Sequence, residues 1–190
     1  MNSMRLLLAF GAACVLGTPP AFAAPAVCTD CLLGVYDDAA MTQSSGRASS
    51  FQVKSVYLGL HLPPDVTMAR IDFDAAYPRG FTVIDVQALV PGATYDTVGN
   101  HAQVRWNNCV AGTHALFRVK VLTTSTPRNA LVQLRAAVGA ACADPATPGW
   151  LVPTGCYVLN PSGMAPPCTT PAAPPTWTFV KALFRTADSR

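Results

Sequence analysis

Across residues 31–160 the chain advances in short runs in which apolar and polar residues alternate, and a cluster of Pro, Gly, Asn, Asp or Ser closes each run. A period of two sends successive side chains to opposite faces of an extended strand, so each strand has one face to bury. A chain written this way folds as a β-sandwich or barrel. The runs cover residues 31–37, 51–62, 66–73, 81–90, 102–107, 115–123, 130–138 and 150–159. Between them stand turn sequences such as Pro63-Pro64-Asp65, Pro91-Gly92, Gly99-Asn100 and Pro127-Arg128-Asn129. About eight strands in a two-sheet antiparallel sandwich are expected, of the immunoglobulin-like, cohesin-like or jelly-roll kind. Composition agrees, because all ten acidic residues are Asp and there are 17 Pro and 13 Gly. A chain without Glu lacks a favoured surface residue of helices and has no Glu general base.

Alternation also assigns faces. Ala69, Ile71 and Phe73 are expected inside, with Arg70, Asp72 and Asp74 outside. Ala115, Phe117, Val119 and Val121 point in, and His114, Arg118 and Lys120 point out. Val132, Leu134, Ala136 and Val138 form a third inward set, with Gln133 and Arg135 outward. Val53 and Val56 are out of phase, which predicts a bulge or kink at Lys54-Ser55.

Residues 1–23 read as a secretory signal, with Arg5 before an apolar stretch and Ala21-Phe22-Ala23 as a cleavage site. A second cut after Ala26 and lipidation at Cys14 are alternatives. No later run has the 18 or so apolar residues of a membrane helix, so a secreted, periplasmic or cell-surface protein is expected. Its net charge is then +2, from twelve Lys and Arg against ten Asp, which gives no global field for nucleic acid.

The mature chain keeps six cysteines, Cys28, Cys31, Cys109, Cys142, Cys156 and Cys168. An even number in an exported chain predicts disulfides. Loop context pairs Cys109 with Cys142 and Cys156 with Cys168, which leaves Cys28 and Cys31 to close on each other or to exchange partners. The Cys28-x-x-Cys31 spacing also suits redox or zinc chemistry. No second tight pair accompanies it, and it precedes a strand rather than a helix, so a structural disulfide is the expected reading.

Residues 24–160 form the expected sandwich domain, followed by a Pro-rich linker over 161–175 and an amphipathic tail over 176–190. In that tail Trp177, Val180 and Leu183 or Phe184 share one helical face, and Lys181 and Arg185 stand four apart. These six residues are candidates for docking a partner or for folding back onto the domain.

Catalytic signals are sparse. His61, His101 and His114 fall in no metal-binding spacing, and Ser44-Ser45-Gly46 and Ser162-Gly163 have the composition of loops, with no G-x-S-x-G. Asp37-Asp38 and Asp72 with Asp74 offer oxygen ligands that suit calcium, without an EF-hand loop; no cofactor is otherwise expected. Arg105, Arg118, Lys120 and Arg135 make one outward basic stripe if their runs are neighbours. Trp106 shares a face with Ala102 and Val104 and is expected in the core. Trp150 and Tyr157 are the candidates for an exposed aromatic platform that stacks on sugar rings.

The Gly34-Val35-Tyr36-Asp37-Asp38 run, the sandwich-like middle and the ending Trp177-x-x-x-Lys181-x-Leu183-Phe184-Arg185 together resemble a group of uncharacterised exported bacterial β-sandwich proteins. The tail resembles one carried by unrelated extracellular proteins of such bacteria. In layout the middle is similar to cohesin-like and immunoglobulin-like sandwiches, a resemblance that implies adhesion or docking. The expected function is a non-catalytic binding, adhesion or surface-structural module with an extracellular protein or glycan partner. The alternatives are a carbohydrate-binding module that uses exposed aromatics and a secreted hydrolase whose site the spacing does not reveal.

Overall fold

A computed structural model describes residues 28, 30–125, 128–142 and 150–162. The signal segment, most of the linker, and the tail residues Trp177, Val180, Lys181, Leu183, Phe184 and Arg185 lie outside this range, as does Cys168. The described residues form eleven strands: β1 (Leu32–Tyr36), β2 (Ser45–Gly46), β3 (Gln52–His61), β4 (Met68–Ala76), β5 (Phe81–Ala88), β6 (Ala93–Asp96), β7 (His101–Val110), β8 (Thr113–Thr123), β9 (Ala130–Ala141), β10 (Trp150–Leu151) and β11 (Cys156–Leu159). The protein is an all-β, two-sheet sandwich. One sheet has the order β1-β3-β8-β5; the other runs β2-β11-β9-β4-β7-β6, with β10 also paired to β9.

All eight expected runs are strands, and the last one is split. Pro153 interrupts residues 150–159, so β10 and β11 meet the same strand, β9, at different places. Into that interruption comes β1: Leu33 N donates to the Pro153 carbonyl at 3.0 Å, and Gly155 N donates to the Leu33 carbonyl at 2.8 Å. One strand thereby joins the two sheets, since β1 also pairs along its length with β3. Two short strands, β2 and β6, were not legible in the alternation. In particular Ser45-Gly46, loop-like in composition, pairs in parallel with Val158 and Leu159.

Between the sheets Leu33, Val35, Val56, Leu58, Leu60, Phe117, Val119 and Val121 meet Met68, Ile71, Phe73, Val104, Val132 and Leu134, all essentially inaccessible to water. Each such side chain contributes about 1.5–3 kcal/mol relative to exposure. Phe117 joins the layers by edge-on contact with Phe73, 6.3 Å between centroids, and with Tyr95 at 5.7 Å.

Several expected faces are corrected by bulges, which reverse the alternation beyond them. The register of β3 with β8 is unbroken from Gln52 to Leu58 and shifts between Leu58 and Gly59, so there is no kink at Lys54-Ser55. Lys54 holds the inward position there and is compensated by an ion pair with Asp37, Nζ to Oδ1 2.6 Å. On β8 the same shift puts Ala115 opposite Gly59 and His114 opposite Leu60. His114 therefore faces inward and its ring approaches Trp106 at 6.4 Å, while Ala115 faces out. On β9 a shift opposite Phe73 brings Ala137 into the core, and Val138 stands opposite Asp72 on the outer side. On β4 the shift between Met68 and Arg70 leaves Met68, not Ala69, in the core.

Candidate functional site

The expected basic stripe does not exist as one surface. Arg118 and Lys120 lie on β8, in the four-stranded sheet, whereas Arg105 and Arg135 lie on β7 and β9 of the other sheet. The two pairs face opposite sides of the sandwich.

On the outer side of the larger sheet two polar triplets at i, i+2 and i+4 come together. Arg70, Asp72 and Asp74 of β4 stand directly opposite Arg105, Gln103 and His101 of β7. Like charges face each other at Arg70 and Arg105, which alone is unfavourable. Each arginine instead turns along its own strand. Arg70 Nε lies 2.9 Å from Asp72 Oδ2, and Arg105 Nε donates to Gln103 Oε1 at 2.9 Å. Gln103 Nε2 closes the chain by donating to Asp72 Oδ1. Asp72, one of the few buried polar residues, thus has both carboxylate oxygens engaged.

The next row crosses four strands. Asp96 of β6 faces His101, His101 faces Asp74, and Asp74 faces Arg135 of β9. His101 Nδ1 donates to Asp74 Oδ1 at 2.8 Å. That hydrogen bond, opposed by partial burial and aided by the charges of Asp74, Asp72 and Asp96, raises the imidazole pKa above its ordinary value. When His101 is protonated the row alternates in sign from edge to centre. A pKa raised in the folded state contributes stability below the unfolded value, near 6.5, and loses it as pH rises through the folded value. Asp74→Asn is therefore expected to lower the His101 pKa measured by NMR. The stability gap between wild type and this variant should be under about 1 kcal/mol for so exposed a pair and should shrink as the pH is raised above the His101 pKa.

This surface offers fixed donors and acceptors rather than reacting groups. Among the described residues no group of three or more His, Cys, Asp or Glu is placed to hold a metal ion. The aspartates considered for calcium are engaged by protein donors: Asp37 by Lys54 and Tyr157, Asp38 by Thr42, Asp72 by Arg70 and Gln103, and Asp74 by His101. His61 and Thr113 share a 2.7 Å hydrogen bond at exposed strand ends.

Tyr157 takes no part in an exposed aromatic platform. Tyr157 is fully buried, and its hydroxyl donates to Asp37 Oδ1 at 2.6 Å; it presents no ring to solvent and is corrected from a ligand-binding to a packing residue. Its neighbour Gly46 cannot carry a side chain, because a Cβ there would collide with the Tyr157 hydroxyl and the Asp37 carboxylate. Tyr77 and Tyr95 join hydroxyls at 2.9 Å and pack against the core, as does Trp106. For Trp150 the backbone alone is described, paired with Gly139. Among the described residues two disulfides join described pairs, Cys28–Cys31 and Cys109–Cys142. Cys156 is also disulfide-bonded.

His101 and Gln103 were missed from the sequence as members of a site. The signal was there in the matching triplets of β4 and β7; what was lacking was the pairing that lays one on the other.

No protein-family model and no curated protein matches the sequence. Solved structures do match. A non-cellulosomal cohesin from the archaeon Archaeoglobus fulgidus superposes with a TM-score of 0.53 at 17% identity, over 70% of this chain and 91% of that one. A cohesin module from a Clostridium perfringens family 33 glycoside hydrolase gives 0.51 at 12% identity, over 70% and 96%. A cohesin–dockerin complex from Clostridium thermocellum gives 0.51 at 12%, over 70% and 99%. With its two sheets and their strand order already established, the chain has the β-sandwich fold seen in cohesin modules.

Proposed function

We propose that this chain is an exported, non-catalytic docking module whose partner is a protein, bound on the outer face of β9-β4-β7-β6. The observation that carries the reading is the interlocked network Arg105–Gln103–Asp72–Arg70 beside the row Asp96–His101–Asp74–Arg135. An ion pair to Asp72 holds Arg70, and hydrogen bonds hold Asp72, Gln103 and His101, in place before binding, which reduces the ordering cost of association. Mixed charge on one broad surface suits a protein of complementary pattern and sets register and orientation more than raw affinity. It does not suit nucleic acid, because the arginines are interleaved with Asp72, Asp74 and Asp96. That one solved structure of this fold is a complex of a cohesin with a dockerin supports a protein partner. The disulfides support an oxidising compartment, and among the described residues no helix is long and apolar enough to cross a membrane.

The test is affinity capture from the organism's own exported fraction, followed by titration of whatever protein is captured. Asp72→Arg should weaken that binding by about tenfold or more, as expected for a central charged interface residue. Lys120→Glu, on the opposite face, should leave it unchanged. Equal binding by all three proteins would sink the assignment of the face, and retention on polysaccharide with no protein captured would favour the carbohydrate-binding alternative.

A further inference from the structure

On the outer side of the four-stranded sheet, Tyr36 of β1 stands opposite Tyr57 of β3, Tyr57 opposite Arg118 of β8, and Arg118 opposite Gln87 of β5. These positions make one row across all four strands. Next to the two tyrosines the sheet is bare, because Gly34 stands opposite Gly59. A Cβ added at Gly34 would meet the Tyr36 hydroxyl and ring at 2.6–2.8 Å, and one at Gly59 would meet the same ring at 3.3 Å and collide with Met41 Sδ. Tyr36 therefore lies along the sheet over the two glycines and stays partly exposed. Met41 closes the site on one side. It sits in the left-handed region at φ 58°, in a turn where its N–H donates to the Asp38 carbonyl at 3.1 Å and Asp38 Oδ1 accepts from Thr42 N at 2.8 Å. A ring supported in this way is in place before any ligand arrives, which lowers the ordering cost of binding.

Further along the row is a cation without a partner. Arg118 Nε is buried and, among the described residues, has no hydrogen-bond acceptor. Lys120, its neighbour on the same face, is neutralised by Asp85 at 2.9 Å. Among the described residues no carboxylate forms an ion pair with Arg118. A buried donor left without an acceptor is costly, and a ligand carboxylate brings acceptor and counter-charge together in a geometry that suits guanidinium. Gln87, exposed on β5, adds an amide that both donates and accepts. The flat ring of Tyr36 narrows the ligand further, since it matches the apolar face of a pyranose. The row is about 15 Å long, three strand spacings of about 4.8 Å, which is room for a short oligosaccharide. A peptide recognised by a sheet takes backbone hydrogen bonds from an edge strand, whereas Tyr57 and Arg118 stand on the two inner strands, whose backbone is taken up by ladders on both sides.

We propose that this face binds an acidic polysaccharide built of uronate units. One sugar ring stacks on Tyr36, and a carboxylate further along the same sugar chain is held by Arg118 and Gln87. The proposal is independent of the protein-binding face on the other sheet.

The experiment titrates the isotope-labelled chain with short oligomers of galacturonate and of mannuronate and follows the protein by NMR. With at least one of them, saturable shifts should centre on the Arg118 side-chain Nε–H, the Gln87 amide and the backbone around Tyr36 and Tyr57. This footprint needs no altered chain. Arg118→Gln should weaken the binding by about tenfold or more, and so should Tyr36→Leu, which still covers the glycines but has no ring. Arg79→Ala removes an exposed charge off the row and should change affinity by less than about twofold. Methyl-esterified oligogalacturonate keeps the rings without the charge, oligoglutamate keeps the charge without the rings, and both should bind at least about tenfold more weakly than the uronate oligomer. Absence of a saturable shift at Arg118 with both uronates overturns the proposal. Equal binding of oligoglutamate also overturns it and would make the ligand an acidic peptide, and equal losses in Arg79→Ala and Arg118→Gln would reduce it to general attraction between charges.

Discussion

Phe117→Ala is expected to reduce the unfolding free energy by about 3–5 kcal/mol, the usual cost of deleting a fully buried aromatic ring. Phe117 comes from β8 of the four-stranded sheet, yet its ring neighbours, Phe73 on β4 and Tyr95 on β6, belong to the other sheet. Its loss opens a cavity at the plane where the sheets meet, and β8 and β4, each held by ladders on both sides, have little freedom to collapse into it. Tyr95 is further fixed by its hydroxyl contact with Tyr77. Phe117→Leu, which retains most of the volume, should cost less than about 1.5 kcal/mol. Urea unfolding with the disulfides intact measures both. A Phe117→Ala loss below about 1 kcal/mol would mean that the sheets close over the gap and that this ring is not the link between them.

The second large effect is expected at the Cys109–Cys142 disulfide. β7 and β9 are not neighbours; both pair with β4, on its two sides. Near the start of β4, where Met68 pairs with Val110 on one side and Ala141 on the other, the disulfide passes between the two flanking strands. It closes a sequence separation of 33 residues, for which loop-closure entropy gives about 3–4 kcal/mol of stabilisation through the unfolded chain. Replacing both cysteines by Ala, so that no free thiol remains, should lower stability by that amount in non-reducing urea unfolding. A change within about 1 kcal/mol would show that the β4 ladders already hold this end of the sheet. Removing Cys28–Cys31 should cost less, because it closes a separation of only 3 residues.

Much of this architecture is legible locally. The alternation in residues 66–73 and 115–123 is a property of each strand alone, and it places Ile71, Phe73, Phe117, Val119 and Val121 inside, where they are found. Turn residues punctuate it where the backbone reverses at positive φ at Gly92, Asn100 and Asn129. The short strands β2 and β6 escape notice because two to four residues are too few for a period, and both owe their extended form to the strand they pair with. The errors of facing at Ala69, His114, Ala115 and Val138 have a common origin. All four lie at or beyond a register shift that only the partner strand defines; the kink expected at Lys54-Ser55 is a separate error, where an ion pair permits continuity.

The same division holds for the candidate site. Arg70, Asp72 and Asp74 were visible as an outward polar set, and so was Arg105, but nothing local says that β4 lies beside β7 rather than β5. Pairing Asp72 with Gln103 joins positions 31 residues apart, and it converts separate solvated side chains into one network. Likewise Arg118 and Lys120 were legible as basic and outward, and only the strand order puts them on the face opposite Arg105 and Arg135. Tyr157 shows the limit from the other side: its ring was free to be surface by composition, and Asp37, 120 residues away, is what makes its burial tolerable. By itself the sequence determined which residues alternate and where the backbone turns, because these are short-range properties of the chain. Strand neighbours, bulge positions and the fusion of polar triplets into one surface were decided by the tertiary structure, because they depend on distant segments whose mutual register no local pattern encodes.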